Sequence, residues 1–174
     1  MNKIIHSTAE LFLSFKFKKT RKTHNLFSKF ISSSKSVLLL AGEPALMDNA
    51  LSEIIEYFVV RKKELTIIIP STGYSRFSNI KSVQFINYNP IDINFCGFPK
   101  ADFLTNLIDK KFDITIDLSI GNNLFNNYLI RFSHSDFSIG FEKHNSDKYY
   151  NFQVKPEIIS ENSYKNLLNS IRMF

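Results

Sequence analysis

Two stretches of this chain alternate an apolar strand with an amphipathic helix, and the later one, residues 112–142, restricts the fold most. Phe112 to Leu118 has strand composition and ends in a polar turn, Ser119 to Asn123. Leu124, Phe125, Tyr128, Leu129 and Phe132 then recur at helical spacing, and Phe137 to Phe141 returns to a short strand. The earlier stretch opens with Ser36 to Ala41, a continuous apolar run suited to a strand covered on both faces. Gly42-Glu43-Pro44 breaks it. Leu46, Met47, Ala50, Leu51, Ile54, Ile55, Phe58 and Val59 follow helical periodicity, and Leu65 to Ile69 forms the next strand, stopped by Pro70. A buried strand joined through a helix to a parallel neighbour requires a right-handed crossover.

The remaining elements extend the same alternation. Val83 to Ile86 is a third strand, and Asn87 to Pro99 a loop. Phe103, Leu104, Leu107 and Ile108 line a helix, Tyr149 to Val154 supplies a sixth strand, and Ile159, Tyr164, Leu167, Leu168 and Ile171 mark a closing helix. The expected fold is α/β: a three-layer Rossmann-like sandwich with a mainly parallel sheet of five or six strands, plus a helical basic N-terminal arm. The arm is expected over residues 1–35 and a single domain over 36–174. A sheet order of 3-2-1-4-5 is the expectation for such folds.

Charge is unevenly distributed. Residues 1–35 contain eight basic side chains and one acid, Glu10, for a net +7; the rest of the chain nets −1. A near-neutral body argues against a broad nucleic-acid surface on the domain itself. Lys16, Lys18, Lys19, Arg21 and Lys22, interleaved with phenylalanines, are the candidate anion-binding residues. They suit a membrane-surface helix, an RNA- or ribosome-binding tail or an organelle presequence; equally, the arm can pack its apolar stripe (Ile4, Ile5, Thr8, Leu11, Phe12 and Phe15) on its own domain. The expected partners are an anionic membrane surface or a protein. The single cysteine, Cys96, excludes an internal disulfide, and no apolar run is long enough to span a bilayer. The expected location is the cytoplasm, including the inner face of the membrane. His6, His24, His134 and His144 lack metal-ligand spacing, so neither metal nor cofactor is expected.

Candidate site residues cluster where strands end, because ligands of doubly wound folds bind beyond the carboxyl ends of the strands. Glu43 is the candidate base, with Gly42 beside it and Asp48 about one helical turn on. Asp117, Ser119 and Asn122 would line the same cleft. Structural roles compete with each of these. Pro44 fits the first position of a helix, Ser119, Asn122 or Asn123 fits a helix cap, and Asp117 could anchor its own turn. Pro70 to Arg76 forms a further polar turn with weak anion-binding character.

The succession Phe112-Asp113…Ile116-Asp117-Leu118…Ile139-Gly140-Phe141, with the strand, Gly-acid turn and helix of residues 36–77, resembles the acceptor-side domain of the heptosyltransferase family of GT-B glycosyltransferases. That resemblance implies a base after the glycine of the first turn, where this chain has Glu43 in place of the family's Asp, followed by a disruptive Pro44. It also implies that a second, donor-binding domain is needed for transfer to a saccharide acceptor. In length and layout the chain is closer to a group of short uncharacterised bacterial proteins with FGxPK-like and FDxxIDLS segments, here Cys96 to Lys100 and Phe112 to Ser119. This likeness implies a complete chain. Two readings follow: a non-catalytic interaction or ligand-binding module, or a glycosyltransferase subunit for envelope saccharide synthesis that works beside a partner donor domain.

Overall fold

The computed structural model of the chain describes residues 8, 9, 11–13, 31–42 and 48–173. Six strands form one sheet: β1 (Ser36–Leu40), β2 (Glu64–Pro70), β3 (Gln84–Tyr88), β4 (Ile114–Asp117), β5 (Phe137–Phe141) and β6 (Phe152–Val154). Their order is β3-β2-β1-β4-β5-β6 and every pair is parallel. The sheet is thus fully parallel, with β6 added beside β5. The order reverses between β1 and β4, where Leu40 lies opposite Asp117. This is the topological switch point of a Rossmann-like fold.

Strand sequence dictates which side chains meet which layer, because alternate residues face opposite sides. Val37, Leu39, Ile67, Ile69, Ile114, Ile116, Ile139 and Phe141 point to one face. Helices α1 (Asp48–Val60) and α5 (Ser160–Arg172) cover it through Leu51, Ile54, Ile55, Phe58, Tyr164, Leu167, Leu168 and Ile171. Ile54, Phe58, Ile67, Ile114 and Ile116 are fully buried, as helical and strand periodicity require. Ile159 does not share this face. It precedes α5 and is exposed.

On the opposite face, Leu38, Leu40, Ile68 and Ile86 pack against α3 (Ala101–Leu104) and α4 (Leu124–Phe132). The short α2 (Ser71–Tyr74) follows β2 directly. The predicted helix through Ile108 stops after one turn; residues 105–109 continue as turns, which buries Leu107 and leaves Ile108 63% exposed. At the end of α1 the chain reverses through Lys62 in the left-handed region (φ 55°), so Lys63 can donate its backbone N–H to the Phe58 carbonyl.

The N-terminal segment contributes to the core. Residues 11–13 are helical, and Ala9 and Leu13 are buried in the α3/α4 layer. Leu11 and Phe12 are about half exposed, so the helix seats the 9/13 pair and not the predicted 8/11/12 stripe. Phe12 stacks on Phe98 with centroids 6.0 Å apart. Ile31 is buried on the α1/α5 side, and the Lys63 ammonium donates to the carbonyls of Ser32 and Ser34. Lys16, Lys18, Lys19, Arg21 and Lys22 lie outside the described residues. Among those described, no helix is long and apolar enough to cross a membrane.

Candidate functional site at the switch point

The alternation Ile114-Thr115-Ile116-Asp117 puts Asp117 on the α4 side of the sheet, at the carboxyl end of a central strand. There it is completely buried. A buried carboxylate needs donors, and this one has five. Oδ1 accepts from the Ser119 backbone N–H at 2.9 Å and from Asn126 Nδ2 at 2.8 Å. The Ser119 hydroxyl lies 2.7 Å from Oδ1 and 2.8 Å from Oδ2. Oδ2 also accepts from Lys143 Nζ at 3.0 Å and from the Tyr150 hydroxyl at 2.6 Å.

Each donor arrives from a different part of the chain. Ser119 belongs to the turn after β4. Asn126 sits in the first turn of α4, whose N-terminus is capped by the Asn123 side chain accepting from the Asn126 backbone. Asn126 Nδ2 also reaches the Ala41 carbonyl at 3.4 Å, tying the end of β1 into the cluster. Lys143 follows β5, and its side chain is only 7% exposed. Its ammonium donates to the Ser119 and Gly121 carbonyls as well as to Asp117. Tyr150 crosses over β5, where the alternation Phe137-Ser138-Ile139-Gly140-Phe141 leaves small residues on this face. A methyl group at Gly140 would lie 2.5 Å from the Tyr150 ring, so glycine is what lets the ring pass.

The field of Asp117 reaches two phenols. Burial, then the Asp117 charge and hydrogen bond, raises the Tyr150 pKa well above its ordinary value. Burial and the same charge push the Tyr88 pKa up to about 12. Both phenols are therefore neutral near pH 7, and Tyr150 acts there as a donor.

Of the candidates read from sequence, Asp117 and Ser119 meet in this cluster. Gly42 is buried at the end of β1. Asn122 stands at the same sheet edge and accepts from Asn127 Nδ2 at 2.8 Å. Asp48 opens α1. Glu43 lies outside the described residues. Sequence reading missed Asn126, Lys143 and Tyr150. The only trace of them is indirect: an Asp on the inner face of a strand demands a cation and donors from somewhere. Among the described residues, no three His, Cys, Asp or Glu side chains form a cluster that could hold a metal ion.

Residues 10–170 match a family defined by sequence. The chain belongs to DUF6913, a family of unknown function. No curated protein matches it. Among solved structures, this DUF6913 chain is similar to a glycosyl transferase family 9 protein from Veillonella parvula DSM 2008, with a TM-score of 0.58 and 13% identity over 79% of this chain and 41% of that one. It is likewise similar to E. coli heptosyltransferase WaaC with ADP, with a TM-score of 0.55 and 13% identity over 78% of this chain and 46% of that one. The DUF6913 chain thus spans less than half the length of either protein, and shares the fold of one domain of a GT-B glycosyltransferase.

Proposed function

We propose that the protein is a non-catalytic interaction or ligand-binding module, related to one half of a GT-B glycosyltransferase, that docks on an anionic partner through its basic N-terminal arm. The observation that supports this reading is the saturation of Asp117, the carboxylate at the switch point; Glu43, the candidate base, lies outside the described residues. A carboxylate offers about four lone-pair sites, and five donors already compete for them. A general base must present a free lone pair to the proton it removes. Here the carboxylate is neutralised by Lys143 and serves as a fastener for β1, β4, β5 and α4. The net +7 of residues 1–35 supports the docking part of the proposal.

The decisive assay offers the purified chain a nucleotide-sugar and an envelope saccharide acceptor. No turnover is expected, and Glu43→Gln should leave fold and partner binding unchanged. Steady transfer that disappears in Glu43→Gln overturns the reading. Docking is tested by replacing Lys16, Lys18, Lys19, Arg21 and Lys22 with Gln. This is cleaner than deleting the arm, because Ala9, Leu13 and Ile31 belong to the core. Retention on anionic vesicles should fall and lose its salt dependence; undiminished retention removes the arm from the proposal, and selective loss of RNA binding redirects it. A second reading, a glycosyltransferase subunit completed by a partner chain, is supported by the heptosyltransferase fold likeness. Copurification of a nucleotide-sugar-binding chain would favour it.

A further inference from the structure

The opposite edge of the sheet, where the strands begin, is open among the described residues. A groove of about 600 Å³ runs beneath the starts of β1, β2 and β3 and the turn before β4. Among the described residues, α3 beside it is a single helical turn. The strand sequences change to match. On this face Leu38, Leu40, Ile68 and Ile86 are apolar, but at the groove the paired positions are Thr66 and Gln84, adjacent in register. There the apolar run of the face gives way to a buried threonine and an exposed glutamine.

Lysines dominate the groove's rim. Lys81, Lys110 and Lys111 line it, against one acid, Glu64. Lys110 is half-buried, and its ammonium nitrogen is enclosed without a hydrogen-bond partner among the described residues. An enclosed cation with no protein acceptor is one that an anionic ligand would satisfy. Burial lowers the Lys110 pKa, which an incoming anion would reverse.

We propose that this groove binds a phosphorylated small molecule, its phosphate held by Lys110 with Lys81 and Lys111, and its organic part resting on Thr66 and Gln84. The volume falls within the range of ligand pockets and exceeds what a bare phosphate fills. The shared chemistry is a phosphate group, and the lysines act on it as point charges. The site lies at the other end of the strands from Asp117.

The test is an amide-resolved NMR titration of the full chain with pyrophosphate and, separately, with a nucleoside monophosphate, each at ionic strength matched by potassium chloride. Shifts should concentrate at Ser36, Thr66, Ser82 and Val83. The nucleotide should bind more tightly than pyrophosphate if the Thr66–Gln84 floor is used. Lys110→Gln and Lys81→Gln should each weaken binding by about tenfold. Lys155→Gln, at the far edge of the sheet, should not. Unchanged spectra of the variants away from the substitution verify that they fold. The proposal is overturned if the groove amides stay still, if Lys155→Gln weakens binding as much as Lys110→Gln, or if matched salt alone reproduces the shifts.

Discussion

The two ends of the sheet treat charge in opposite ways. At the carboxyl end Asp117 and Lys143 are both buried, and each is satisfied by several partners. At the amino end Lys110 is enclosed and, among the described residues, unpartnered beside a groove. In doubly wound folds the carboxyl end is the usual place for a ligand. Here Asp117 at that end is taken up by its own donors, while Lys110 at the amino end is unpartnered among the described residues. A position that supports chemistry in one fold member can serve as an internal tie in another, since fold alone does not fix function.

The contrast is broken most forcefully by removing Lys143. Lys143→Met leaves Asp117 buried without its cation and should cost about 3–5 kcal/mol in urea denaturation, with Asp117→Asn in the same chain restoring much of it. A loss below about 1 kcal/mol would mean that the carboxyl end is not held by this pair. Gly140→Ala should come next, at about 2–3 kcal/mol, because the added methyl displaces the Tyr150 ring and its bond to Asp117. Combining it with Tyr150→Phe should cost less than the sum, since both act on one contact.

Titration separates the two ends further. The raised phenols at the carboxyl end keep their protons in the folded state while those of the unfolded chain ionise from about pH 10. Stability is therefore intact below that pH and falls as pH rises toward 12, and Tyr150→Phe should flatten the decline. Asp113, at the amino end, behaves in the reverse sense. Burial alone would raise its pKa, but the Ser36 and Lys35 N–H groups, the Ser36 hydroxyl and the Lys35 charge together hold it below the ordinary carboxylate value. Its contribution is present above about pH 4 and is lost as pH falls through the depressed value. Asp113→Asn should cost about 1 kcal/mol and reduce the acid sensitivity.

The smallest effect should come from Lys110. Lys110→Met removes an enclosed charge that has no partner among the described residues, so stability should stay within about 0.5 kcal/mol or rise. A loss above 1 kcal/mol would show that Lys110 is a structural member of its surroundings, and the difference between the two ends would disappear.

Much of this architecture is legible in local pattern. Helical spacing of Leu51, Ile54, Ile55 and Phe58 and the apolar runs of β1 and β2 specify a sheet covered on both faces, and the I-T-I-D alternation puts Asp117 on a definite side of it. Periodicity is a property of consecutive residues, so a sequence carries it openly. The length of α3 was less readable, because Leu107 and Ile108 continue a helical rhythm that the turns at 105–109 do not honour. The choice of Ala9 and Leu13 over Leu11 and Phe12 as the buried pair was also hidden, since several helix rotations present an acceptable apolar face.

What the sequence determined by itself was the parallel α/β frame, the place of Asp117 and Ser119 at a strand end, and the confinement of net positive charge to residues 1–35. Only the tertiary structure decided what Asp117 does there. Lys143 and Tyr150 follow it by 26 and 33 positions, with no spacing that links them, and they meet it because β5 lies beside β4 and the chain folds back over Gly140. The groove at the other edge likewise draws its lining from β1, β2, β3 and the turn before β4, segments far apart in the chain. Both are consequences of packing between distant segments, and contacts of that kind leave no periodic trace along the chain.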